Sequence, residues 1–368
     1  MDKPKTITNH QARKAGVTVL SRIQALKIGQ KMQDLPEALW HDSFRFYVND
    51  DPTRQGGPNL RMIRLDPDQP SLTVTGYIYN KFVHPFEDRF ITPREAARLQ
   101  GFPDDLEFKG TVTSVQQQVG DAVPIELGRA LFDALLRVAS NLVPKQAVFS
   151  ALSLFSGAGG LDVAAHQVRG AGSERWQTVA CVEHEKDRCA TLRGYFGDTM
   201  RVFQEAIERL SPRTILEACG VDRSAISLIY GGPPCQAFSQ AGKQQGTYDP
   251  RGELIFEFLR FVEDISPPLF LMENVSNLKA IAKGKLLETI LHRMDQLGYD
   301  VDHRVLNSAY YGNAQKRHRL IFFGTKKGLD VQASLPEPTH SRSGDLFGRP
   351  PFKTVRQAFE GLPAVDND

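Results

Sequence analysis

From Phe149 onward the chain alternates short apolar runs with amphipathic stretches. FSALSLF (149–155), QTVACVE (177–183), ISLIYGG (226–232), PLFLMEN (268–274) and RLIFFGT (319–325) are seven-residue runs that predict strands. Between them RCATLRGYF (188–196), RTILEACG (213–220), GELIFEFLRFVEDI (252–265) and GKLLETILHRMDQLG (284–298) place apolar residues at helical spacing. Such alternation predicts an α/β fold: a doubly wound, mostly parallel sheet with helices on both faces. Sheets of that kind hold their ligands beyond the carboxyl ends of the strands.

Residues 1–110 follow another pattern, with turns and extended pieces broken at Asp51-Pro52, Gly56-Gly57-Pro58 and Asp66-Pro67. One helix is well signalled there, ITPREAARLQ. Thr92 is its N-cap, Pro93 the first helical position and Glu95 the other half of a capping box. VQQQVGDAVP (115–124) then offers three glutamines, a Gly-Asp turn and a proline at the start of an apolar helix that ends near Asn141. NLVPKQAV (141–148) links that helix to the first strand, and there is no internal repeat.

The chain has 368 residues, 41% hydrophobic and 24% charged, enough for a sizeable core in one large domain or two ordinary ones. No apolar run reaches the roughly 20 residues needed to span a bilayer, and the polar start MDKPKTITNHQARK lacks a signal-peptide core. A cytoplasmic, nucleoid-associated protein without a membrane partner is expected. Cys181, Cys189, Cys219 and Cys235 form no CxxC pair and have no histidines at zinc spacing, so no metal is expected. Net charge is only +2, but residues 1–64 carry eleven Lys/Arg against six Asp/Glu, which suits a polyanion or a solvated basic face.

Four stretches carry candidate chemistry. SLFSGAGGLD (153–162) is a glycine-rich strand-to-helix turn, and the next predicted strand ends in Val182-Glu183, whose carboxylate can accept from both hydroxyls of a ribose. Together they suggest a nucleoside-containing cofactor, adenosyl or dinucleotide; a tight turn beside a surface glutamate is the plainer alternative. In LIYGGPPCQAFSQAGK (228–243) two prolines stiffen the turn that presents Cys235 at the ligand edge, as a nucleophile requires. The following Gly-, Gln- and Ser-rich segment reads as a loop that closes over substrate. LMENV (271–275) puts Glu273 at a strand end after an apolar run, half-buried and suited to share a proton, or else serving as a helix cap. In AQKRHRL (314–320), strand alternation aims Arg317 and Arg319 to one side, toward an anionic or carbonyl-rich ligand, unless the strand is a solvated edge.

In that order and spacing, SLFSGAGGLD, CVEH, GGPPCQAFSQAGK, LMENV and QKRHRL resemble the cytosine-C5 DNA methyltransferase family over residues 150–325. The resemblance implies a Rossmann-like S-adenosylmethionine-dependent methyltransferase fold, with S-adenosylhomocysteine as product. It implies that Cys235 attacks C6 of a flipped-out cytosine, that Glu273 bonds N3 and the exocyclic amine, and that Arg319, supported by Arg317, holds O2. Phe155 would stack on adenine, Ser156, Gly157, Ala158, Gly159 and Gly160 would line the methionine part, and Glu183 would take the ribose hydroxyls. His184, Pro234 and Leu254 would complete the cofactor site. The family's usual adenine-binding aspartate is missing; Glu205-Ala206-Ile207 stands there instead.

Two further runs also resemble the family, but in this chain they come first. PSLTVTG (70–76) and QVGDAVP (118–124) match its last motifs, with HPFEDRFITPREAARLQGFPDD between them, so the chain reads as circularly permuted. Asp121 and Val123 would then wall the cofactor pocket, with Asp121 replacing the family's asparagine. The implied division is a small, irregular target-recognition region (1–64), permuted motifs completing the catalytic domain (65–144), the catalytic and cofactor-binding domain (145–326) and a tail leading toward recognition (327–368). Candidates for contact with double-stranded DNA are Arg45, Arg54, Arg61 and Arg64, Thr73 and Thr75, and Gln236, Ser239, Lys243 and Arg251 of the loop after Cys235. The expected function is DNA (cytosine-5-)-methylation within a restriction-modification system or a phage, with a cognate endonuclease or a second recognition subunit as further partners. A tRNA cytosine-C5 methyltransferase and a non-catalytic, methylase-like DNA-binding regulator are the competing readings.

Overall fold

The computed structural model describes residues 7–42, 44–45, 62–234, 254–346 and 348–365. Its centre is a seven-stranded sheet. The strands are β1 (Val148–Leu154), β2 (Arg175–Glu183), β3 (Arg201–Gln204), β4 (Ile226–Gly231), β5 (Leu269–Val275), β6 (Tyr299–Asn307) and β7 (His318–Lys326), in spatial order β3-β2-β1-β4-β5-β7-β6. Neighbouring strands are parallel from β3 through β5, whereas β7 runs antiparallel to both β5 and β6. The five apolar runs are all strands. The polar edge strands β3 and β6 escaped the sequence pattern because only a buried strand has to read as a continuous apolar run. Strand order reverses between β1 and β4, which opens a crevice beyond their carboxyl ends.

The α-helices of five or more residues among the described residues are α1 (Val17–Ala25), α2 (Pro93–Gln100), α3 (Val112–Asp121), α4 (Ile125–Leu142), α5 (Gly160–Gln167), α6 (Lys186–Phe196), α7 (Pro212–Cys219), α8 (Leu254–Ile265), α9 (Lys285–Gln296) and α10 (Val355–Phe359). On one face of the sheet α7, α8 and α9 bury Ile215, Phe258 and Ile290 against Leu152, Phe270 and Phe322. On the other face α2, α3, α4 and α5 bury Leu99, Val119, Phe132 and Val163 against Ala151, Leu271 and Phe323. Each large apolar side chain buried in these layers contributes roughly 1.5–3 kcal/mol. α4 crosses α5 closely because Gly128 has no side chain; a Cβ there would lie 2.7 Å from the Cβ of Ala164.

Residues before β1 and after β7 share this second core. Ile63, Val74 and Phe102 lie in one cluster with Ala333, Leu335 and Val355, and α10 packs on α2, where Arg98 Nη1 donates to the carbonyl of Ala358. Thr92 caps α2 as its sequence foretold: its hydroxyl accepts from the Glu95 N–H at 3.1 Å, and Glu95 accepts from the Thr92 N–H at 2.7 Å. The expected Gly-Asp turn is instead the last turn of a helix. Thr111 caps α3, its hydroxyl accepting from the Ser114 N–H, and Gly120-Asp121 close the helix before Pro124, the N-cap position of α4.

Candidate active site

At the crevice, β1 ends and the backbone turns sharply. Phe155 has φ +55°, a conformation rare for a bulky residue, and Gly157 and Gly159 follow at +58° and +86°. Glu183, at the end of β2, holds this turn. One oxygen accepts from the Gly157 N–H at 2.8 Å and the other accepts from the N–H groups of His184 and Glu185 at 2.9 Å each. α5 then starts at Gly160. Gly159 supplies no side-chain cap, so the first N–H groups remain available for a ligand.

Beneath the turn lies a buried polar cluster that the sequence reading missed. Tyr230 donates to Asp162 at 2.9 Å and shares a 2.7 Å hydrogen bond with Thr178, while the hydroxyls of Ser153 and Ser156 meet at 2.7 Å. Complete burial pushes the Asp162 carboxyl up to about 6. Its signal in the sequence is a carboxylate set in the apolar run of LDVAA. Burial also raises the Cys181 thiol, and it pushes Cys189 up to about 12, so both stay protonated at neutral pH.

The opposite wall comes from residues that precede β1. A Cβ on Gly160 would sit 2.5 Å from the Val123 carbonyl oxygen, so the two walls touch backbone to backbone. Gly120 is equally confined by the backbone of Thr75 and Gly76. Ser71–Leu72 pairs with Gln315–Lys316, and the Thr73 hydroxyl donates to the Lys316 carbonyl at 2.9 Å. Arg317 ties these pieces together, donating to the carbonyls of Val74 at 2.7 Å and Gly120 at 2.8 Å. It is 2% exposed, and burial pushes it down to about 9. Arg317 and Arg319 both line the cleft, but with different partners and not from one continuous strand. β7 begins at His318, and Arg317 has been drawn into the wall by carbonyls that would otherwise be unpaired.

Arg319 faces a different partner. In the antiparallel register it lies opposite Val275, diagonal to Glu273, and its Nε meets a Glu273 oxygen at 2.6 Å. Burial raises the Glu273 carboxyl, while the Arg319 and Arg317 guanidiniums pull it back down. The neighbouring Asn274 donates to the Pro233 carbonyl at 2.9 Å, which fixes the Gly-Gly-Pro-Pro loop beside Glu273.

These groups line one cleft of about 800 Å³. It takes in Phe155, Ser156, Gly157, Gly160, Glu183, His184, Pro234, Leu254, Asp121 and Val123 of the expected cofactor site, together with Thr73, Thr75, Glu273, Arg317 and Arg319. Ala158 is buried under the turn and Gly159 caps α5. Asp121 is paired with Arg188 at 2.7 Å, and Gln117 donates to its other oxygen at 2.8 Å; the sequence reading had singled out neither partner. Glu205 also reaches the cleft, where it accepts from the Ala206 N–H.

Among the recognition candidates, Arg64 is corrected. It is 6% exposed, and all five of its N–H groups are engaged by the carbonyls of Ile23, Leu26, His84 and Glu87 and by Asp88. None is left for a phosphate. Arg45 donates to the carbonyls of Glu37 and Ala38. Cys235, Gln236, Ser239, Lys243, Arg251, Arg54 and Arg61 lie outside the described residues.

The cleft suits an adenosyl amino-acid cofactor: an uncapped helix start, a glycine cradle that a Cβ would fill, and a carboxylate at the end of β2. Among the described residues no group of three His, Cys, Asp or Glu is placed to hold a metal, and no helix is long and apolar enough to cross a membrane.

Comparison with known proteins agrees with this geometry. The type II methyltransferase M.AquIA of Picosynechococcus is 42% identical over 227 residues, covering 58% of this chain and 88% of that protein. M1.HphI of Haemophilus parahaemolyticus is 37% identical over 54% of this chain, and M.NgoFVII of Neisseria gonorrhoeae is 36% identical over 58%. The chain spans about half the length of these last two, 52% and 53%. The model of the C-5 cytosine-specific DNA methylases matches residues 5–137 and 149–357. Both halves of the cleft fall within that match, and the chain belongs to the C-5 cytosine-specific DNA methylase family.

Proposed function

We propose that this chain methylates C5 of cytosine in double-stranded DNA as the modification enzyme of a type II restriction-modification system. The observation that carries the reading is the buried Glu273–Arg319 pair in the same cleft as the Glu183-braced glycine turn, next to the proline loop that leads into Cys235. S-adenosylmethionine would be held by Phe155, the 156–160 turn and Glu183, and when bound it supplies the methyl group.

The remaining chemistry falls to the chain. The Cys235 thiolate adds to C6, which places a carbanion-like electron pair on C5. Glu273, whose carboxyl burial pushes upward, shares a proton with N3 and relieves the negative charge of the ring. Arg319 holds Glu273 through Nε, and its Nη2 has no partner among the described residues, leaving it free for the O2 carbonyl. Once C5 carries the methyl group, a general base takes the C5 proton, the C6–S bond breaks to release the Cys235 thiolate, and N3 returns its proton to Glu273, which restores the ring. Gln236, Ser239, Lys243 and Arg251 follow Cys235 in sequence and are proposed to meet DNA, as are Arg45, Arg54 and Arg61 of the basic N-terminal region, with Thr73 and Thr75 at the cleft rim. The cognate endonuclease, or a second chain adding recognition surface, is proposed as a partner on the pattern of the type II relatives.

We also propose that the order of segments is a circular permutation. Support comes from 70–76 and 118–124, which wall the cleft although they precede β1, and from α4, which runs through 143–147 directly into β1. The test is bisulfite sequencing of a plasmid from cells producing the chain alone, alongside tritiated-methyl transfer to duplex DNA and to tRNA. Methylation of DNA that disappears in Cys235→Ser is expected. Transfer to tRNA alone, or full activity of that variant, overturns the reading.

A further inference from the structure

The Asp121–Arg188 pair spans the cleft from the end of α3 to the first turn of α6. The family's asparagine is an aspartate here, and the structure supplies its counter-charge: Arg188 Nη2 meets one Asp121 oxygen at 2.7 Å while Gln117 holds the other at 2.8 Å. The arginine side chain is 22% exposed and its partner 43%, so the pair lies at the cleft mouth in contact with water. No other acceptor among the described residues bonds Arg188, so most of the five N–H groups of its planar fork remain free. Nη1 stands over the glycine turn, 4.0 Å from the place a Cβ on Gly157 would occupy. The uncapped start of α5 faces the same space, and it too favours negative charge.

A guanidinium held on one side by a carboxylate, with its remaining donors turned toward a glycine turn and a helix start, matches a ligand carboxylate. We propose that Arg188 binds the α-carboxylate of the cofactor's amino-acid end, with Asp121 positioning the guanidinium and accepting from the adjacent ammonium. Together the two side chains present the complement of a zwitterion. This inference rests on the methyl-donor reading of the cleft.

Calorimetric titration of the full chain with S-adenosylhomocysteine and with 5′-methylthioadenosine tests it, because the second ligand keeps the adenosine thioether and lacks the amino-acid end. Arg188→Gln is expected to weaken S-adenosylhomocysteine binding about tenfold or more, the loss typical of a charge-assisted hydrogen bond, and to leave methylthioadenosine within about twofold. Arg188→Lys keeps the charge without the fork and is expected to fall between. Asp121→Asn is expected to weaken S-adenosylhomocysteine by a few-fold through the looser guanidinium. Equal weakening of both ligands by Arg188→Gln, or no weakening of either, overturns the assignment while the methyl-donor reading stands. Failure of the unaltered chain to bind S-adenosylhomocysteine overturns both.

Discussion

Replacing Asp162 by asparagine tests whether the buried cluster beneath the glycine turn holds a charge at neutral pH. Its carboxyl is wholly enclosed, with Tyr230 donating to Oδ1 and no hydrogen-bond partner for Oδ2. Burial raises it from 3.8 to about 6. A carboxyl whose folded value exceeds its unfolded value makes the folded state bind more protons between about pH 4 and pH 6. Stability from this group is therefore present at acid pH and lost as pH rises through that window. At 1.36 kcal/mol per pH unit the full loss is about 3 kcal/mol, and about 1.4 kcal/mol of it falls between pH 5 and pH 8. Asparagine keeps the shape and carries no charge, so Asp162→Asn should gain on the unaltered chain by about that amount over the same interval. The weaker bond from Tyr230, worth about 1 kcal/mol, shifts both ends of the comparison equally. Urea midpoints at pH 5 and pH 8, read at constant m, give the gap directly. A gap between the two proteins that is the same at both pH values, within about 0.5 kcal/mol, would refute the argument, because a merely steric substitution carries no proton linkage.

Arg317→Leu should leave the Val74 and Gly120 carbonyls unpaired in the wall and destabilise the fold by about 2–5 kcal/mol in thermal or urea unfolding. Arg319→Gln should reduce kcat about a hundredfold with less than half of that destabilisation; the reverse ranking would show the two arginines misassigned. Gly160→Ala should force Val123 away from the turn and raise KM for the methyl donor about tenfold, seen in initial-rate kinetics, while an unchanged KM would mean that the two walls are not in contact during turnover. Because burial raises Glu273, its proton persists to higher pH, and kcat of the unaltered enzyme should fall on the alkaline side as that proton is lost. Glu273→Gln should remove the alkaline limb and cost about 10²–10⁴ in kcat, and a limb that survives the substitution belongs to another group.

Arg64 and Arg317 are held in the same way. Arg64 and Arg317 occur in sequence beside residues with functional resemblance, and a guanidinium in such a place reads naturally as a ligand for phosphate or base. In the fold each sits where irregular backbone leaves carbonyls without backbone partners: those of Leu26 and His84 around Arg64, and those of Val74 and Gly120 around Arg317. Burying those carbonyls unpaired would cost about 1–3 kcal/mol each, so the arginines close the N-terminal segments. Arg319, two residues beyond Arg317, meets the Glu273 carboxylate through Nε as well as the His318 carbonyl, so the two guanidiniums lining the cleft differ in their partners.

Local features were legible in the sequence because they depend on neighbours along the chain. The apolar runs specified the five inner strands, Thr92 and Glu95 specified the cap of α2, and the glycines of 157–160 specified a turn that only residues without a Cβ can make. Strand ends also place Glu183 and Glu273 at one edge of a parallel sheet. Contacts between distant segments were decided by tertiary structure alone. The antiparallel turn of β7 set Arg319 diagonal to Glu273, and the approach of α3 to α6 paired Asp121 with Arg188, 67 residues away. Periodicity and turn chemistry fix backbone angles and the buried face of each element. The partner of a charged side chain depends on register and on which polar groups packing leaves unpaired, and neither quantity is local.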